Sequence, residues 1–335
     1  MKILFVYQIP KSFIEKDKNI LSSRHEIREV SFTSLLDAWR ILINVFWCDV
    51  TFSWFGKLHA FFAVLFSKIF RKKCIVIAGG DDVAYIPEIK YGIFCYWWKR
   101  WCPLFVFRYA DLILSVSRFN HQETIKNAKV NPAKVKLICH GFDFQEFTPA
   151  SAEKEKRLVI TVGGVDWDRL ERKGYERFVR SAAYLPDVQF ALIGQWYDDS
   201  INYLREIAPK NVIFTGELSD AELLKFFSRA KVYVQASLHE AFGCSLAEAM
   251  LCECIPVVSR NAAITEVVGN TGVYVDELTP ENIAEKVKNA LNLSGDYGKK
   301  AQNRIIEVFP LSKRKREILE AVEKISNELP SQRVL

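Results

Sequence analysis

The sequence predicts an α/β protein of two doubly wound, Rossmann-like domains, on three observations. Short β-rich runs recur along the chain without the alternation of a half-exposed sheet. Patterns of helical period separate them. A polar, charged seam, "FQEFTPASAEKEKR" at 144–157, divides the 335 residues near their middle. Strands of a parallel sheet read as continuous apolar runs because helices cover both of its faces. Strand and helix alternating over the whole length give a doubly wound arrangement.

In the first half the strand runs are "KILFVY" (2–7), "KCIVIAG" (73–79), "LILSVS" (112–117) and "KVKLICH" (134–140). The second half holds six: "RLVITVGG" (157–164), "QFALIG" (189–194), "NVIFTG" (211–216), "VYVQAS" (232–237), "IPVVS" (255–259) and "GVYVD" (272–276). Between them, "SDAELLKFFSRA" opens on a capping box of Ser219 and Glu222. "TPENIAEKVKNALN" opens on Thr279 with Pro280 at the first helical position. The domains predicted are 1–150 and 151–310, facing across a cleft, with a last helix in 311–335 that returns to the first domain.

Composition narrows the class. Half the residues are hydrophobic, enough for two cores. The longest apolar runs, such as "AFFAVLF" (60–66), fall well short of the ~18 residues of a membrane span. The first residues read as a buried strand and not as a leader, since no basic stretch or long apolar region opens the chain. The eight cysteines form no C-x-x-C pair, and Cys252 and Cys254 stand without a second pair at zinc spacing, so buried thiols in a reducing cytosol are expected. Residues 1–150 carry 21 Lys and Arg against 13 Asp and Glu. Such an excess suits an anionic partner or a solvated lysine-rich surface alike.

The chemistry concentrates in "SLHEAFGCSLAEAMLCECIPVVS" (237–259). "LHEAFG" leaves the C-terminal end of a strand, the edge where open α/β sheets hold ligands. Gly243 allows close backbone approach, and a helix begins near Cys244 and Ser245. The amides of Gly243, Cys244, Ser245 and Leu246 would then face a ligand with the helix dipole behind them, which suits a pyrophosphate. Glu240 before this helix and Glu248 inside it are placed to accept hydrogen bonds from hydroxyls at the two ends of one ligand. A diphosphate between two hydroxylated ends is a nucleotide sugar. Spacing alone equally accommodates a first-turn glutamate favoured by the dipole and a solvated loop glutamate.

A second site follows the first strand of the second half, in "VGGVDWDRLERKGYERFV". Gly163–Gly164 ends the strand, and Lys173–Gly174 is expected to open a helix, with the lysine neutralising phosphate. Neither G-x-G-x-x-G nor a P-loop is present. Asp166 and Asp168 read as turn residues.

These stretches resemble the retaining glycosyltransferases of family 4, which have the GT-B fold. "VITVGG…RKG", "FALIG", "NVIFTGELSDAELLKFFSRAKVYVQAS", "EAFGCSLAEAM", "IPVVS" and "ITEVVGNTGVYVD" match in order, and the E-x7-E element with its Phe-Gly is the specific part. Upstream, "GGDDVAYIPEIKYG", "YADLILSVS" and "HGFDFQEF" continue the match more loosely. The resemblance implies that Glu240 contacts the donor sugar and takes part in catalysis, that Glu248 binds ribose hydroxyls and that Lys173 holds the diphosphate. It puts Phe242 to Leu246 around the distal phosphate and sugar, and Leu218 beside the base. Where relatives carry His-Gly-x-Asp, this chain has Gly79-Gly80-Asp81-Asp82, which leaves Asp82 as the catalytic candidate and lacks the histidine. Gly164 takes a place usually held by Gly-Arg, with Arg169 or Arg172 as substitutes. A family glycine before "CIP" is Glu253.

The activity implied is sugar transfer from a UDP-, GDP- or ADP-sugar to a glycan or lipid-linked acceptor, with retention, without metal or further cofactor. "KLHAFFAVLFSKIFRKK" (57–73) and "FCYWWKRWCPLFVFRYA" (94–110) fit either core helices with basic ends or a peripheral contact with the inner face of a membrane. The rivals are a two-domain nucleotide-sugar epimerase and a non-enzymatic protein binding an anionic ligand. Nucleic acid is not expected, since no RRM, KH or zinc-finger signature occurs.

Overall fold

A computed structural model describes residues 1–147 and 154–327. The chain divides into two compact units, Met1–Gly141 with the helix Leu311–Asn327, and Phe142–Pro310. The division thus falls at Gly141–Phe142, ahead of the polar seam, whose residues 148–153 lie outside the described residues.

The first unit holds β1 (Lys2–Tyr7), β2 (Glu26–Ser31), β3 (Val50–Trp54), β4 (Lys73–Ala78), β5 (Leu112–Ser115) and β6 (Val135–Leu137). Its helices are α1 (Ser12–Ser22), α2 (Asp37–Trp47), α3 (Leu58–Ile69), α4 (Trp101–Tyr109) and α5 (Arg118–Ala128). The strands form one parallel sheet in the order β2-β1-β3-β4-β5-β6. Two of these strands are not among the runs the sequence predicts. β2, "EIREVS", is a largely exposed edge strand with charges on it. β3, "VTFSW", carries Thr51 and Ser53, and is nevertheless buried throughout, with Thr51 and Ser67 hydroxyls 2.9 Å apart.

The second unit holds β7 (Glu155–Val162), β8 (Gln189–Ile193), β9 (Val212–Gly216), β10 (Ala230–Gln235), β11 (Ile255–Ser259) and β12 (Val273–Val275). Between and after them come α6 (Trp167–Lys173), α7 (Tyr175–Ser181), α8 (Ser200–Ile207), α9 (Asp220–Arg229), α10 (Cys244–Leu251), α11 (Ile264–Val268), α12 (Pro280–Asn292) and α13 (Gly295–Val308). All six predicted strand runs are present, in the parallel order β12-β11-β10-β7-β8-β9. The first strand, β7, sits between β8 and β10, so the winding direction reverses at the β7–β10 pair. Both predicted caps form: Ser219 and Glu222 make a reciprocal capping box, and the Thr279 hydroxyl accepts from the Asn282 amide at 3.2 Å.

The last helix, α14 (Leu311–Asn327), belongs to the first unit. Its Arg314 is fully buried and forms a bidentate pair with Asp17 of α1, both bonds 2.7 Å. A third nitrogen of Arg314 donates to the carbonyls of Ile138 and Cys139. A buried charge must be paired and hydrogen-bonded in this way, or its desolvation would not be offset. Among the described residues, no helix is long and apolar enough to cross a membrane.

Candidate active site

The C-terminal ends of β7 and β10 lie side by side where the winding reverses, and this is the crevice-forming point of an open α/β sheet. Two loops leave it. The loop after β7 carries Gly163 and Gly164, the latter beneath the Tyr197 ring. The loop after β10 carries Ser237, His239 and Glu240 and runs into α10.

Lys173 does not open a helix, as the sequence suggested; it ends α6. Gly174 follows in the left-handed region, with φ 70°, and links α6 to α7. A Cβ at Gly174 would run into the Ala236 carbonyl, so the glycine lets α6 close down on the end of β10. The Leu238 amide then donates to the Arg172 carbonyl at 2.7 Å, tying the two loops together. This brings Lys173 Nζ onto Glu240 Oε1 in a short ion pair.

Glu240 is buried, and two further donors reach the same oxygen: Gln235 Nε2 and Ser237 Oγ, each at 2.8 Å. Ser237 is itself held by its carbonyl, which accepts from Ser259 Oγ at 2.6 Å. Gln235 is 3.1 Å from the Tyr233 hydroxyl, which lies 3.2 Å from Ser245 Oγ in the first turn of α10. A buried side-chain network thus runs from Lys173 through Glu240, Gln235 and Tyr233 to the start of the helix. All three donors converge on Oε1, and Oε2 has no donor among the described residues.

Burial pushes the Glu240 carboxyl up, but the Lys173 and Arg172 cations and the hydrogen bonds outweigh it and hold the group below its usual range. For Lys173 burial prevails over the attraction of Glu240, and its ammonium titrates below its ordinary value. Arg172 and Arg169 add to that push. The pair is therefore a carboxylate held ionised beside a cation that sits among other cations, an arrangement that an added anionic ligand would relieve.

α10 begins at Cys244, where the sequence places a helix start. Gly243 caps the helix with φ 102°, a conformation only glycine adopts readily. Ser245 and Leu246 stand in the first turn, where a helix offers their amides no acceptor of its own. Phe242 is buried, its ring 5.9 Å from Phe142 and 5.2 Å from Phe309. Glu248 is half-buried on α10, one turn beyond Cys244. Leu218 is half-buried after β9, just before α9.

Asp82 belongs to the first unit. It is fully buried, with Oδ1 accepting from the amides of Gly79 and Gly80 and Oδ2 from Gly56. Burial and the neighbouring Asp81 push it up to about 7, against the pull of those amides and Lys57. Of the residues sequence reasoning passed over, Tyr233, Gln235 and Ser237 matter most. The signal was present: Tyr233 and Gln235 stand two apart on one face of β10, and Ser237 continues that spacing into the loop.

Residues 143–308 match the family model of glycosyl transferases group 1. The matched stretch takes in nearly all of the second unit, which is thus similar along its length to the glycosyl transferases of group 1. The group 1 match covers both loops, Lys173 and the E-x7-E element. Among curated relatives, the MMP alpha-(1->4)-mannosyltransferase of Mycolicibacterium hassiacum is 26% identical over 238 residues, 64% of this chain and 56% of that protein. A diphospho-undecaprenol N-acetylgalactosaminyltransferase of Campylobacter jejuni is 23% identical over 58% of this chain and 55% of its own. The alignments thus span about half the length of these relatives. Anabaena HepE, solved in complex with UDP, superposes with a TM-score of 0.80 at 16% identity, covering 97% of this chain and all of that one. The fold is GT-B in class, two Rossmann-like units in one chain. The group 1 unit also explains Glu253, which stands where the family resemblance implies glycine: its backbone is left-handed, with φ 61°.

Proposed function

We propose that the protein transfers a sugar from a nucleoside diphosphate sugar to a hydroxyl of a glycan or lipid-linked acceptor, with retention of configuration. The observation that carries this reading is the buried Lys173–Glu240 pair at the β7–β10 reversal, beside the N-terminus of α10. Lys173, Arg172 and the first-turn amides meet the charge of the diphosphate as it leaves, without a bound cation. Glu240, oriented through Oε1, turns Oε2 to the sugar, where it accepts from hydroxyls and stabilises positive charge near the anomeric carbon. Glu248 binds ribose hydroxyls, Leu218 and Gly164 flank the base and diphosphate, and Asp82 acts by holding loops in place. The family match and the UDP complex of HepE support this assignment of the donor class.

A thermal-shift panel of UDP-, GDP- and ADP-sugars tests it. One donor should raise the unfolding midpoint of the wild type by mass action and fail to do so for Lys173→Met. If no nucleotide sugar shifts the wild type, the reading is wrong.

A further inference from the structure

We infer that the first unit docks on the surface of an anionic phospholipid bilayer through one aromatic and basic face built by α2, α3 and α4. The two aromatic, basic segments are partly core and partly exposed. On α3, Ala60, Ala63 and Val64 are core. The segment 97–101, "WWKRW", is exposed at every position, with Trp97 at 74%. α2 adds a stripe the sequence reading did not single out. Leu36, Trp39, Ile43 and Phe46 recur at three- and four-residue steps along one side and are all at least half exposed, while Ile41 and Val45 face the core.

Ring contacts join these parts. Phe46 lies 4.2 Å from Phe70 at the end of α3, next to exposed Ile69. Phe61 of α3 lies 5.3 Å from Trp101 and 4.8 Å from Phe105 on α4. Exposed aromatic and aliphatic side chains grouped in this way mark an interaction surface.

Charge selects the occupant. No Asp or Glu occurs from 50 to 80 or from 89 to 110, and Lys99 and Arg100 stand between the exposed tryptophans. Residues 1–141 carry 21 Lys and Arg against 11 Asp and Glu. Tryptophan settles at headgroup depth, and each nearby cation adds attraction to anionic lipid. Apolar insertion combined with a basic patch provides the two signals that stable interfacial attachment requires. The inference stands apart from the donor site, whose Lys173 and Glu240 lie in the other unit.

The test is flotation of the full chain with phosphatidylcholine vesicles, with and without phosphatidylglycerol. The wild type should float with the anionic vesicles at low salt and be released as salt rises. The triple change Trp97→Ser, Trp98→Ser, Trp101→Ser should lower partitioning by about tenfold, and Lys99→Glu with Arg100→Glu should lower it comparably. Both act at exposed positions, and an unchanged circular dichroism melt verifies folding. Wild type remaining at the bottom at low salt, or variants floating as it does, overturns the inference. So does a wild-type dimer that never floats and that the tryptophan changes dissociate, since the face then joins two copies of the chain.

Discussion

Two buried carboxylates, each in a loop at the C-terminal edge of a parallel sheet, meet opposite fates. Asp82, after β4, is saturated by three backbone amides. Glu240, after β10, is bound among the described residues by side chains on one oxygen only, one of them a cation. Amides fixed by the backbone hold a carboxylate in place, whereas side-chain donors gathered on one oxygen leave the other open to a further partner. Their protonation differs for other reasons: burial and Asp81 push Asp82 up to about 7 against the pull of its amides, whereas Lys173 and Arg172 hold Glu240 below its usual range despite its burial.

The largest effect expected from breaking this contrast is on chemistry. Glu240→Gln should lower the rate of sugar transfer by about a thousandfold, as loss of a preorganised electrostatic partner does, measured with a radiolabelled donor. Asp82→Ala should act on stability instead. It strands three amides, and a loss of about 3 kcal/mol is expected in urea unfolding. Because the Asp82 pKa is raised in the fold, its protonated form is favoured, and that contribution is lost as pH rises from the ordinary 3.8 through about 7. Asp82→Asn should therefore flatten the pH dependence of stability across that window, read by urea melts at a series of pH values.

Ser237→Ala sharpens the comparison from the other side. It removes one donor from Glu240 Oε1, so transfer should fall by about tenfold. The acid limb of the pH–rate profile should also move to higher pH, because Glu240 loses a contact that favours its ionised form. A purely structural role for Ser237 would leave that limb in place. The smallest effect is Glu253→Gly, which relaxes a left-handed backbone and should stabilise by up to about 1 kcal/mol in the same melts, without altering transfer.

The second unit was legible because its strands carry apolar runs, as in "LVITV" and "FALI", and its helices carry written caps, as at Ser219 and Thr279. The first was less so. β2 has charges on an edge, and β3 hides Thr51 and Ser53 among apolar residues, so neither run looks like a buried parallel strand. At the site, Glu240 and the α10 amides could be read from spacing, since helix starts and loop ends are local features. The partnership of Glu240 with Lys173 could not, because 67 residues separate them, and the packing of Gly174 against Ala236 and the Leu238–Arg172 backbone bond join them only in the fold. Nor could the surroundings of Asp82, since the Gly56 amide that claims its second oxygen is 26 positions away.

The most direct measurement is a calorimetric titration of the nucleotide selected by the thermal-shift panel into wild type, Lys173→Met and Asp82→Asn. Loss of a charge-assisted contact to the diphosphate should weaken binding to Lys173→Met by about tenfold to a hundredfold, while Asp82→Asn binds within about twofold of wild type. A Lys173→Met protein that is folded and binds as tightly as wild type would contradict the account.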